Sequence, residues 1–133
     1  MLKHRILFLV FILGLFSSCE KNANNATNSN SILGCWINPS YNDSIVTFEK
    51  SDNLEINDYG IEFKEKGLFI ERNSGWCGTP PLTYSNCNGT WHIKGSLIQI
   101  SVDFWGIQNE YKWKLISVNN EKLTIIKQLE EYN

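Results

Sequence analysis

The chain has 133 residues, with 12 Lys or Arg against 14 Asp or Glu and a formal net charge of −2. A balance on the acidic side excludes the basic face that nucleic acid requires, and this length suits one domain. Aromatic residues make up 13% of the chain, including five Trp; such rings favour strands and dominate core burial, so one small β domain can be built from them. At the N-terminus Lys3 and Arg5 precede an unbroken apolar run of 11 residues, Ile6 to Phe16, which leads into Ser17-Ser18-Cys19. A basic segment, a short apolar run and a small-residue ending are the layout of a secretory signal peptide. The run is too short for a transmembrane helix, which needs about 20 residues.

Ser17-Ser18-Cys19 resembles the lipobox of bacterial lipoproteins, with Phe16 where Leu is commoner. The resemblance implies that residues 1–18 are removed and that Cys19 carries diacylglycerol and palmitate as the first mature residue. A single acyl chain binds a membrane only marginally, whereas two or three anchor stably, so the lipids would suffice without a polybasic patch. Losing Lys3 and Arg5 makes the mature chain more acidic still. Glu20 follows the lipid cysteine in place of the Asp that marks inner-membrane retention, which points to the outer membrane of a bacterial envelope. Residues 19–31 contain no large apolar side chain and cannot offset the entropy of ordering, so they read as a flexible tether.

From Ile32 to Asn133 the apolar pattern has period two. Gly34 to Ile37 predicts a first strand, stopped by Asn38-Pro39. Ser44 to Lys50 follows with Val46 and Phe48 on one face, and Asp52 to Asn57 reads as a short edge strand. Tyr59, Ile61 and Phe63 share a face, Lys64 to Gly67 turns with Gly67 in a left-handed conformation, and Leu68 to Glu71 returns. Thr90 to Lys94 turns at Gly95-Ser96 into the alternation of Ile98, Ile100 and Val102. Past Trp105-Gly106, Tyr111, Trp113 and Leu115 alternate with outward Lys112 and Lys114; Leu123 to Leu129 ends the series after Asn119-Asn120. Eight or nine short strands with tight turns predict an all-β antiparallel meander, closed as a barrel, with a β-sandwich as the alternative. Closure removes exposed strand edges.

Gly34-x-Trp36 at the head of the first strand resembles the Gly-x-Trp signature of lipocalins. The stretch from Leu33 to Ile126, with Gly89-Thr90-Trp91 inside it, is similar to small lipocalin-like lipoproteins of Gram-negative bacteria. The resemblance implies an eight-stranded barrel, wide enough for side chains to fill or for one small ligand.

Candidate chemistry is sparse. Once His4 is removed, His92 is the sole histidine, and it alternates with Trp91 and Ile93, which turns it to solvent. No Gly-x-Ser-x-Gly elbow supports a nucleophile, and no cluster of His and Cys predicts a metal. Glu62, Glu65 and Glu71 flank one hairpin and Glu130-Glu131 sit at the end; paired carboxylates can hydrolyse sugars, but most of these alternate with apolar residues and read as solvated outer-face charges. The long segment Asn73 to Cys87 exceeds a hairpin turn, and such loops are often functional. It contributes Trp76 and Tyr84, and the turn at Phe104-Trp105 adds two more rings; these four are the candidate ligand contacts.

Cys77 is expected to bond Cys35 or Cys87, with the connectivity open, and all three read as structural. Asp43-Ser44-Ile45 resembles a short O-glycosylation acceptor of some bacterial surface proteins. The resulting expectation is a monomeric, lipid-anchored envelope protein without enzymatic activity, cofactor or metal. It would bind a small apolar ligand or, as the alternative, an envelope protein that it inhibits or helps to assemble.

Overall fold

The computed structural model describes residues 29–75 and 80–127. Eight strands make it up: β1 Gly34–Asn42, β2 Ile45–Ser51, β3 Gly60–Phe63, β4 Leu68–Asn73, β5 Ser85–Lys94, β6 Leu97–Phe104, β7 Ile107–Val118 and β8 Lys122–Lys127. All neighbours pair antiparallel, in the order β1-β2-β8-β7-β6-β5-β4-β3 with β3 returning to β1, so the sheet is a closed barrel and not a sandwich. Strands β3 to β8 form a meander. The β1–β2 hairpin completes the ring with β1 lying between β2 and β3, one step away from a simple up-and-down order.

That step explains residues 52–59, a crossover that takes in the stretch, Asp52 to Asn57, where a short edge strand is expected. The segment carries the chain from the end of β2 past β1 to the start of β3. Leu54 covers Gly60 and Ile37, since a Cβ built on Gly60 would lie 2.9 Å from Leu54 and 3.2 Å from Ile37. This is why Ile37 is buried although it does not face the barrel interior.

The expected stop at Asn38-Pro39 is a bulge within one continuous strand. Ile37 pairs with Glu49 and Ser40 with Thr47, so two residues of β1 oppose one of β2, and Asn38 takes a φ of 51°. The Gly67 turn has its expected left-handed backbone, with a φ of 71°.

The core follows from the alternation. Val46, Phe48, Ile61, Phe63, Phe69, Ile98, Ile100, Val102, Leu123 and Ile125 are each at most 1% exposed. One end is sealed: Ile32, in a four-residue helical turn, is fully buried, and its carbonyl accepts the indole N–H of Trp36 at 2.8 Å. Lys50 lies with its ammonium 4.2 Å from the Trp36 ring centroid and donates to the Leu33 carbonyl. Trp91 adds a second indole bond at that end, to the Lys64 carbonyl at 2.9 Å. The chain therefore enters at the sealed end. The β1–β2 turn, the exit of β4 and the β6–β7 turn all lie at the opposite end.

Candidate functional site

At the end opposite Ile32 and Trp36 a cavity of about 890 Å³ opens. The β6–β7 hairpin supplies Phe104, Trp105 and Ile107, β7 adds Asn109 and Tyr111, and β4 ends against it at Asn73 and Gly75. Trp105 and Gly106 form the two-residue turn with φ values of 48° and 87°, a pair of left-handed residues suited to the twist of a tight hairpin. The turn is held by the Asp103 carboxylate, which accepts from the Gly106 N–H at 2.7 Å. A bulky residue in that conformation is strained, and strain of this kind concentrates at functional positions. Trp105 is 65% exposed, yet its ring lies so close to Gly75 that any side chain there would strike it.

Beneath this cavity the barrel interior becomes polar. Glu71, expected as a solvated outer-face charge, is 4% exposed and points inward. The reason is the strand period: Phe69 and Glu71 are two apart, so the alternation that buries Phe69 also turns Glu71 inside. The Tyr59 hydroxyl donates to one carboxylate oxygen at 2.7 Å and the Tyr111 hydroxyl to the other at 3.2 Å. Burial raises the Glu71 pKa, while the two hydroxyls and the Lys127 charge pull it down by less. Burial and the adjacent carboxylate push both tyrosines up.

Lys127, the last described residue of β8, completes the group. Its ammonium stands 5.2 Å from the Trp113 centroid, 5.6 Å from Tyr59 and 5.7 Å from Tyr41. Trp113 in turn stacks on Tyr111 with centroids 5.5 Å apart and planes within 6°. Burial lowers the Lys127 pKa and Glu71 raises it, the first being larger.

The sequence-predicted contacts divide. Phe104 and Trp105 line the cavity, with centroids 6.1 Å apart. Tyr84 is half-buried just before β5 and is not part of the cavity lining; Trp76 lies outside the described residues. Cys19 and Cys77 also lie outside them. Cys35 and Cys87 are both free thiols, so no disulfide forms among the described residues. Cys35 lies on the outer face of β1, whereas Cys87 faces in opposite Glu71 on β5, and burial raises the pKa of each. His92 is exposed on β5, and Ser44 is exposed at the β1–β2 turn. No three His, Cys, Asp or Glu side chains gather as a metal site among the described residues.

Glu71 and Lys127 are the polar residues that sequence reading missed. The available signal was strand parity: Phe69 fixes the inward parity of β4, and Leu123 with Ile125 fixes that of β8. No protein-family model matches the chain, and no curated protein or solved structure matches it either.

Proposed function

We propose that this protein is a lipid-anchored bacterial envelope protein whose barrel binds a small, largely apolar ligand at the end away from its anchor. The observation that carries the reading is the 890 Å³ cavity walled by Phe104, Trp105, Ile107 and Tyr111, in a barrel whose other end is sealed by buried Ile32 and Trp36. Cavities of roughly 300–1,000 Å³ with apolar walls and a few polar groups are the usual form of small-molecule sites. The tether of residues 19–31 would hold the sealed end toward the membrane and turn the cavity away from it. The role is binding and not catalysis on this reading, because both Glu71 oxygens already serve tyrosine hydroxyls and His92 lies on the outer wall.

Native mass spectrometry of the full chain purified from cell envelopes is the test. A discrete small-molecule adduct, lost in Trp105→Ala, is expected; a bare mass under conditions that preserve known lipid adducts would overturn the reading.

A second reading, an interaction module for another envelope protein, is favoured by the exposed Tyr41, Ile45, Trp105 and Ile107 at the same end. Crosslinking in intact cells separates the two, since only this reading expects one protein partner in fixed stoichiometry.

A further inference from the structure

The cavity and the polar group beneath it share Tyr111, whose ring forms part of the cavity wall and whose hydroxyl reaches the carboxylate beside Lys127. Within that group the hydrogen-bonding capacity is unevenly used. Glu71 accepts on both oxygens. Lys127 is surrounded by the rings of Trp113, Tyr59 and Tyr41, and among the described residues its ammonium has neither a hydrogen-bond acceptor nor an ion-pair partner. It is not sealed from solvent either, since no wholly buried side-chain nitrogen or oxygen lacks a partner among those residues. An ammonium held among rings gains from their faces but keeps three N–H donors without an acceptor. The nearby Glu71 charge offsets part of the burial but gives the ammonium no hydrogen-bond acceptor, so a second anionic group that accepts from it would be favoured.

We propose that Lys127 is the head-group site for an amphiphile with an anionic head, whose apolar part lies against Phe104, Trp105 and Ile107. This rests on the ligand-binding reading above and adds the sign of the ligand's charge. A cationic head has less to gain, because the Glu71 oxygens are occupied and Lys127 already stands near them. A neutral apolar molecule would fill the cavity and leave the Lys127 donors unserved. The arrangement therefore selects by head charge while the walls accept a range of tails.

The test compares three ligands with the same eight-carbon tail, octanoate, octanol and octylammonium, titrated into the full chain by calorimetry and by Trp fluorescence. Octanoate is expected to bind about tenfold or more tighter than the other two, the increment of a charge-assisted hydrogen bond. Lys127→Met should erase that preference, bringing octanoate down to the affinity of octanol, and Lys127→Arg should retain it. Circular dichroism of each variant checks that the barrel is intact. Equal binding of the three ligands, or an octanoate preference that survives Lys127→Met, overturns the head-group assignment while the apolar site stands. Failure of all three to bind overturns the ligand-binding reading itself.

Discussion

Glu71 is the residue whose surroundings decide most. Its folded pKa is raised, so the native barrel holds that proton more tightly than the unfolded chain does. The contribution is fully present below the ordinary carboxylate value of 4.5 and is lost as pH rises through the raised native value. Unfolding free energy should therefore decline as pH climbs from 4.5, and Glu71→Gln should flatten that slope in urea titrations across pH 4 to 7. The lowered pKa of Lys127 acts in a separate window, just under 10.5, where stability should rise with pH. Glu71→Ala should cost roughly 1–3 kcal/mol, because it strands the partly buried Tyr59 hydroxyl. Gly75→Val should loosen the cavity wall, since its φ of 70° suits glycine and its Cβ would displace the Trp105 ring. A red-shifted Trp emission with little change in far-ultraviolet dichroism is the expected readout. Cys35 and Cys87, with raised pKa values and buried sulfurs, should resist thiol reagents until the barrel unfolds.

At the level of strands, most of the fold was legible because one face is buried all round. Val46 with Phe48, and Ile98 with Ile100 and Val102, mark their strands unambiguously, since burial of one face forces period two. Less legible were the places where the period is interrupted or carries an unexpected residue. Asn38-Pro39 reads as a terminator, but an unpaired bulge tolerates a residue without an N–H, and the strand runs on to Asn42. The parity that buries Phe69 also buried Glu71, and a charged side chain overrode that inference in the sequence reading. The seam between β2 and β8 gives a direct test of packing. Val46 faces Ile125 there and Phe48 faces Leu123, all at most 1% exposed. Phe48→Ala should cost about 3–5 kcal/mol in denaturant unfolding, through lost burial and the void left behind.

For the molecule as a whole, closure was foreseeable from strand number and turn spacing, but the ring order was not. Nothing in residues 52–59 announces a connection that passes over β1 instead of pairing beside β2. The cavity was legible only in part. Phe104 and Trp105 stand out as turn aromatics, whereas the approach of β4 to the β6–β7 hairpin depends on tertiary geometry. The ring order carries a consequence for timing. Among the described residues, β8 seals against β2 through partners as distant as Val46 and Ile125. Contacts so far apart in sequence slow folding, because the intervening loop must be ordered first. A nascent chain lacking β8 leaves the first hairpin with one open edge, so the cylinder can zip shut only once residues 122–127 have been delivered.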